Sequence, residues 1–231
     1  MSTAVDIMVV APHPDDAEYG AAGTVAKWTR EGKRVIYIVC TNGAKGTNNP
    51  EIKPEQLIAL RMKEQRAAAE LLGVRDVIFL GYPDLHLEAT PDFVREMVRQ
   101  IRLYRPKTIV TSDPYRRYVW HRDHRVTGQV VLDAVYPLAR NRPAYPELLE
   151  EGLEPHKVEE LFFWATEDIN YRSDITDTFD LKLAALRCHA SQLVEFDRTA
   201  LEERLKSRCR QMAEGEEFEF AEAFHREEIL Y

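Results

Sequence analysis

An apolar run leads directly into a turn with one imidazole and two adjacent carboxylates in residues 7–18, Ile7-Met8-Val9-Val10-Ala11-Pro12-His13-Pro14-Asp15-Asp16-Ala17-Glu18. The apolar run has the composition of a buried strand. Successive side chains of an extended chain point in opposite directions, so Asp15 and Asp16 are expected to have different roles. A histidine beside a carboxylate is a ligand pattern for a divalent metal. The alternative is a polar strand-to-helix turn in which an aspartate caps the helix.

Length and composition predict one globular domain. The chain has 231 residues, of which 45% are hydrophobic, and a formal net charge of -8. We therefore predict a single domain over residues 1–231, with a strand–helix core in residues 1–135 and a C-terminal extension of the same domain in residues 136–231. The negative charge argues against nucleic acid as a partner. The three cysteines are far apart, which excludes a disulfide framework.

The location of the protein is predicted from what the sequence does not contain. It has no apolar stretch of the length that a membrane-spanning helix needs. The first residues also have neither the basic region nor the apolar segment of a secretory signal. We expect a cytoplasmic protein without membrane insertion.

Strand and helix signals alternate through the first 135 residues. Strands are predicted at residues 5–10, 34–40, 77–80 and 108–111. Helices are predicted at residues 17–31 and 54–72, and from Pro91 to the residue before Pro106. Beyond them we expect a strand at residues 161–165 and helices at residues 179–189 and 199–213. This alternation favours an α/β fold with a mostly parallel sheet and helices on both faces.

A second polar cluster follows the fourth predicted strand, with the spacing His121-x-Asp123-His124. In a parallel sheet the ends of the strands carry the ligands, so this cluster is expected near the turn after the first strand. A catalytic zinc commonly has three protein ligands and one open position. His13, Asp16 and His124 could supply these ligands, which leaves Asp15 as a base and His121 as a hydrogen-bond donor. Such a set suits metal-assisted hydrolysis of a carbonyl compound.

The usual competitors on this type of sheet lack their motifs. The turn after the first strand is not a dinucleotide fingerprint, because Gly20 and Gly23 fall inside the predicted helix. The sequence has neither a phosphate-binding Gly-x-x-x-x-Gly-Lys loop nor the Gly-x-Ser-x-Gly elbow of serine hydrolases.

The two motifs together resemble those of the zinc-dependent de-N-acetylases of the PIG-L/LmbE-like family. Further segments agree with that family: Thr41-Asn42-Gly43, Arg61-x-x-Glu64, Gly81-x-x-Asp84 and Lys182-x-x-Ala185-Leu186-x-x-His189-x-Ser191-Gln192. The resemblance implies a Rossmann-like fold and removal of an acetyl group from N-acetylglucosamine-type substrates. Three positions around the expected substrate differ from those of many relatives: Ala17, Ala44 and Val119.

The resemblance also implies roles for individual residues. One zinc ion per chain would be bound by His13, Asp16 and His124, although such a site also accepts Fe(II) or another divalent ion. Asp15 would be the general base acting on a zinc-bound water, and His121 the acid or the oxyanion partner. Asp123 would tune His121, while Arg61 and Asp84 would contact the sugar or its polar attachment. The substrate would be a small N-acetylated sugar conjugate. Relatives suggest a homo-oligomer, either a trimer or a hexamer.

Three other functions stay open at this point. An amidase could act on a different amide, such as a thiol S-conjugate. A non-catalytic nucleotide-binding or interaction module could use the same sheet. Metal-dependent hydrolysis of a phosphoester would favour a second metal site with more carboxylates than the sequence offers.

Overall fold

A seven-stranded sheet forms the centre of the computed structural model, which describes residues 3–193 and 198–230. The strand order is β3-β2-β1-β4-β5-β7-β6. Neighbouring strands from β1 to β5 are parallel, whereas β7 is antiparallel to both β5 and β6. The strands are β1 (Ile7–Ala11), β2 (Val35–Thr41), β3 (Asp76–Tyr82), β4 (Thr108–Ser112), β5 (Glu160–Trp164), β6 (Tyr171–Asp174) and β7 (Ala221–Glu228).

Eight α-helices surround this sheet within the described part of the chain. They are α1 (Asp16–Arg30), α2 (Pro54–Leu71), α3 (Pro91–Tyr104), α4 (Arg122–Asp133), α5 (Pro146–Glu150), α6 (Phe179–Cys188), α7 (Ala190–Leu193) and α8 (Arg198–Met212). Among them, none is both long and apolar enough to cross a membrane.

The predicted α/β fold is confirmed, and the boundaries of the predicted elements lie within two residues of the observed ones. The sequence does not predict β6 and β7. The second half of β7 carries His225, Arg226, Glu227 and Glu228, so charged side chains hide the pattern of a strand. Because β5, β6 and β7 extend the same sheet as β1, they support the prediction of a single domain, which stays a prediction.

The central strands β1, β2, β4 and β5 are buried on both faces. Met8 and Val10 of β1 pack toward the side of the sheet that carries α3 and α4. Ile7 and Val9 pack on the opposite side, with α1, α2 and α6. Strand β1 lies between β2 and β4, so the strand order reverses there. In such sheets the crevice at the carboxyl ends of the two central strands is the usual place for a ligand.

Candidate metal centre and active site

The turn between β1 and α1 carries the first set of polar side chains. The backbone N–H of His13 donates to Oδ2 of Asp16, 2.9 Å away, which tightens the turn. Asp15 adopts φ 94° and ψ -26°, a left-handed conformation that is unfavourable for a residue with a side chain. Such conformations commonly cost about 1–3 kcal/mol and persist only where the surroundings impose them.

The loop after β4 and the start of α4 carry the second set. His121 caps α4, because its Nδ1 accepts the backbone N–H of Asp123 at 3.1 Å. His124 follows in the first turn of the same helix. A side chain at Gly128 would collide with the backbone carbonyl of Ser112 at the end of β4. This close approach of α4 to β4 brings the two histidines next to the turn after β1.

The structure brings together the three predicted metal ligands. Nδ1 of His13 lies 2.9 Å from Oδ2 of Asp16, and Nε2 of His124 lies 3.2 Å from Oδ1 of the same carboxylate. Ligand atoms about 2.1 Å from a tetrahedral ion are about 3.4 Å from one another, so these separations suit a shared ion. The imidazoles of His13, His121 and His124 also converge as a group that could hold a metal.

The electrostatics of His13 also favour a cation. Its Nε2 lies 3.2 Å from Oδ1 of Asp84 and 3.2 Å from Oδ2 of Asp123, so three carboxylates surround one ring. Burial disfavours a charged imidazole, but the hydrogen bonds to Asp123, Asp16 and Asp84 outweigh it and raise the pKa of His13 to about 11. A cluster that holds a proton this strongly has the charge to bind a divalent ion instead. The donor set thus fits a metal.

The carboxylate of Asp15 lies beside this group. Burial first, and then the charge of Asp16, raise the pKa of Asp15 to about 7. Its side chain is 15% exposed, and its Oδ2 lies 3.4 Å from Nη2 of Arg61. By contrast, the interactions of Asp16 with His124 and His13 outweigh its burial and lower the pKa of that carboxyl group. Two adjacent carboxylates therefore differ in proton affinity, and the more basic one suits proton transfer near neutral pH.

His121 offers a hydrogen-bond donor on the exposed side of the group. Because its Nδ1 accepts a backbone N–H, the proton of the neutral ring lies on Nε2. Burial, together with the nearby charges of His13 and His124, lowers the pKa of His121 and so favours that neutral form. Its ring centroid is 4.7 Å from that of His13.

Asp123 contacts more of the site than the sequence suggests. Its carboxylate lies beside Nε2 of His13 and accepts the backbone N–H groups of Leu85 and Leu87. It approaches His121 through its own backbone N–H, and its charge raises the pKa of that ring against the effect of burial. Tuning of His121 by Asp123 stays a prediction.

Arg61 and Asp84 are both buried at the edge of the site. The guanidinium of Arg61 donates to the backbone carbonyls of Gly43 and Pro14, at 2.9 and 2.6 Å. A side chain at Gly46 would collide with this guanidinium. Oδ2 of Asp84 accepts the backbone N–H of Lys45 at 2.8 Å. These contacts fix the loop after β2 beneath the site, and contact of either residue with a substrate stays a prediction.

A cavity of about 250 Å³ opens beside the predicted metal ligands Asp16 and His124. Its wall includes aromatic and apolar side chains from widely separated segments: Tyr19, Trp120, Trp164, Ile169, Leu205 and Met212. The sequence does not predict that these side chains meet, because no local pattern links residues so far apart. The cavity supplies space for part of a substrate larger than an acetyl group.

The comparison with known proteins shows which family the chain resembles. The family model PIG-L, GlcNAc-PI de-N-acetylase, matches residues 8–135. Diacetylchitobiose deacetylase of Thermococcus kodakarensis is 35% identical over 189 residues, which cover 82% of this chain and 70% of that protein. Mycothiol S-conjugate amidase of Streptomyces coelicolor is 28% identical, with 84% of each chain covered.

The fold shows the same relationship. A solved structure of N,N'-diacetylchitobiose deacetylase from Pyrococcus horikoshii superimposes with a TM-score of 0.92 and 30% sequence identity. The match covers 97% of this chain and 84% of that one. The α/β fold, the site and these relatives assign the chain to the metal-dependent amide hydrolases. Within that class, the chain belongs to the PIG-L family.

Proposed function

We propose that the protein is a metal-dependent hydrolase that removes an acetyl group from an N-acetylglucosamine-type or related N-acylated substrate. The observation that carries this proposal is that the carboxylate of Asp16 lies within 2.9 Å of His13 and 3.2 Å of His124, with the buried carboxylate of Asp15 next to it in the same turn. The family and the deacetylase relatives support the reaction class. A small N-acetylated sugar conjugate is the proposed partner.

Zinc is the proposed ion, held by His13, Asp16 and His124, although Fe(II) or another divalent ion would suit the same donors. When bound, the ion would polarise the amide carbonyl and lower the pKa of a water molecule. A second effect of the ion would be to neutralise the cluster of carboxylates around His13.

The side chains provide the proton transfers. We assign Asp15 as the general base that accepts a proton from the attacking water. The water oxygen adds to the carbonyl carbon, and the Nε2 proton of His121 stabilises the oxyanion that forms. The C–N bond then breaks, and Asp15 passes the proton that it took from the water to the leaving amine. Acetate and a free amine are the products.

The experiment that tests this proposal measures release of primary amine from N,N'-diacetylchitobiose and from simple N-acetylglucosamine conjugates. The protein is assayed as isolated, after treatment with a chelator, and after zinc is returned. We expect activity that disappears with chelation and returns with zinc. Absence of amine release from the whole panel by the zinc-loaded protein would contradict the proposal. Saturable nucleotide binding by calorimetry without hydrolysis would favour the non-catalytic alternative.

A second candidate is an amidase acting on a larger amide, such as a thiol S-conjugate. The cavity beside Asp16 and His124 favours it, since the aromatic and apolar side chains in its wall, which stand beside Arg116 and Arg208, could contact a bulky apolar group. Replacing Leu205 in the cavity wall by Lys should raise KM for substrates with a bulky apolar group and leave small acetylated sugars unaffected. Equal kinetics for both types of substrate would argue against this candidate.

We also propose that the chain assembles as a homo-oligomer, a trimer or a hexamer. Analytical ultracentrifugation of the purified protein tests this directly, and a sedimenting species of 26.8 kDa, the mass of one chain, would contradict it.

A further inference from the structure

A buried ring of polar side chains lies behind Asp15 and has no role in the proton transfers proposed above. The Gln65–His189 ring, as we name it, consists of five residues: Gln65, Glu18, His189, Ser191 and Glu64. Gln65, Glu18, His189 and Glu64 are buried, and Ser191 is half-buried. Side-chain contacts join Gln65 to Glu18, Glu18 to His189 and Ser191 to Glu64. The main chain completes the ring, between His189 and Ser191 and between Glu64 and Gln65 on α2.

The first half of the ring leads away from the proposed base. The backbone N–H of Asp15 donates to Oε1 of Gln65 at 2.9 Å. Nε2 of Gln65 donates to Oε1 of Glu18 at 2.9 Å, and Oε2 of Glu18 lies 3.1 Å from Nε2 of His189. Three consecutive contacts thus connect the backbone of Asp15 to a histidine 174 residues away in the chain.

The second half of the ring returns to α2. Ser191 donates both its backbone N–H and its hydroxyl to the carboxylate of Glu64, at 2.8 and 2.6 Å. This contact fixes the segment that carries His189. Glu64 and Ser191 belong to two of the family-like segments, and the proposed reaction gives neither of these residues a role.

The contact with Glu18 determines which way the amide of Gln65 points. Oε1 of Glu18 accepts a hydrogen bond from the NH₂ group of Gln65, which places that group on the side of Glu18. The carbonyl oxygen of Gln65 must then face the N–H of Asp15. Without an acceptor at position 18, the amide could rotate and place a donor against a donor.

The other polar groups of Asp15 are held as well. Its backbone carbonyl accepts the N–H groups of Glu18 and Tyr19, at 3.0 and 3.1 Å. Its Oδ2 lies beside Nη2 of Arg61, which is also on α2. The helix and Arg61 thus hold the backbone carbonyl and the carboxylate of Asp15, whereas Gln65 holds its backbone N–H. The left-handed conformation of Asp15 therefore depends on the contact with Gln65.

We propose that Gln65 and Glu18, supported by His189, are positioning residues that hold the backbone of Asp15 so that its carboxylate faces the reacting water. This inference rests on the proposed function of Asp15. A residue that only supports a reacting group commonly changes the rate about 10- to 100-fold when its hydrogen bonds are removed. The effect should be on kcat, because Gln65 is fully buried and so is not available to bind a substrate.

The test uses the metal-loaded full chain and the variant Gln65→Met, which removes both hydrogen bonds and keeps a similar volume. We expect kcat to fall about 10- to 100-fold, with KM and the metal content unchanged. Glu18→Gln should give a smaller loss of kcat, because a second amide at that position can still accept from Gln65. The matched control is Gln100→Met on α3, where a buried glutamine donates to Glu96 at 2.6 Å; we expect the kcat of the unmodified chain.

The decisive step repeats Gln65→Met and Glu18→Gln in the background of Asp15→Asn. If the ring acts through the carboxylate of Asp15, neither change should lower the residual rate any further. An equal fold-loss with and without the Asp15→Asn change would overturn the inference. So would an unchanged kcat when Gln65→Met and Glu18→Gln are made in the chain that retains Asp15. Inactivity of the unmodified metal-loaded chain would instead contradict the proposed function, so the two failures differ. Glu18→Gln retains the shape of the side chain and keeps the test usable if Gln65→Met does not fold.

Discussion

One carboxylate, that of Asp16, joins the two halves of the site, because its Oδ2 lies 2.9 Å from Nδ1 of His13 and its other oxygen faces His124. The two histidines come from different segments of the chain, the turn after β1 and the start of α4. Asp16 is also the first residue of α1, so the helix holds it in place. Metal binding at this site would therefore require that the turn after β1, α1 and α4 pack correctly against one another.

The metal site predicts that His13→Ala loses both the ion and turnover. The variant removes one of the three proposed ligands, and the carboxylates that remain repel one another without the imidazole. Metal content per chain after gel filtration, measured by mass spectrometry, should fall well below one equivalent. His86→Ala serves as the control, since His86 bonds to the backbone oxygen of Asp84 outside the group that could hold a metal. Full metal content in His13→Ala would show that this residue is not a ligand.

His121→Ala should lower kcat about 100- to 1000-fold while the metal stays bound. The reason is that the variant loses a neutral donor aimed at the charge that develops in the transition state. Steady-state kinetics together with metal content measure the effect. A variant that binds less metal and turns over normally once saturated with zinc would make His121 a ligand instead.

The buried pair of Lys182 and Glu222 predicts a large effect on stability. Nζ of Lys182 lies 2.7 Å from Oε1 of Glu222, and the same carboxylate accepts the backbone N–H groups of Gly23 and Thr24. Glu222→Ala leaves a buried ammonium and two buried N–H groups without this partner, and should lower the free energy of unfolding by about 3–5 kcal/mol.

Urea denaturation of the metal-free protein measures this loss. The control is Glu167→Ala, which breaks a surface pair with Arg117 of 3.1 Å and should cost about 0–1 kcal/mol. Similar losses of unfolding free energy in the two variants would contradict the predicted contribution of the buried pair to stability.

His189 predicts a pH dependence of stability. Burial disfavours its charged form, but the hydrogen bond and the charge of Glu18 outweigh burial and raise the pKa of His189 above its ordinary value of 6.5. A raised pKa in the folded state stabilises the fold fully below pH 6.5, and this contribution is lost as the pH rises through the folded pKa. The difference in unfolding free energy between the unmodified chain and His189→Gln should therefore shrink toward alkaline pH.

His156 supplies a comparison of opposite sign. Burial lowers its pKa below 6.5, so its contribution is present above that value and is lost as the pH falls through the lowered pKa. The difference in unfolding free energy between the unmodified chain and His156→Gln, measured over the same pH range, should therefore shrink toward acidic pH. A common pH trend for both variants would contradict the assignment for His189.

The sequence predicts the elements of the site well, because its signals are local. The turn of His13 to Asp16 follows an unbroken apolar strand, and His121 and His124 have the spacing of one helical turn. Strand order at the centre of the sheet then determines that the two segments meet. These facts need no knowledge of side-chain conformations.

Contacts that depend on the direction of a side chain are not predictable in this way. Asp123 was expected beside His121, yet its carboxylate also reaches His13 and two backbone N–H groups of the loop after β3. Gln65 is a similar case. It lies four residues after Arg61, so helical spacing places the two on one face, but only the fold brings that face to Asp15.

The rate of the metal-loaded Asp15→Asn variant tests the proposed function most directly. Amine release from an N-acetylglucosamine conjugate and metal content are measured on the same samples as the unmodified chain. We predict one equivalent of metal in both, with a rate reduced about 100- to 10,000-fold in the variant, because an amide cannot accept the proton of the attacking water. A near-normal rate in Asp15→Asn would contradict the assignment of Asp15 as the general base.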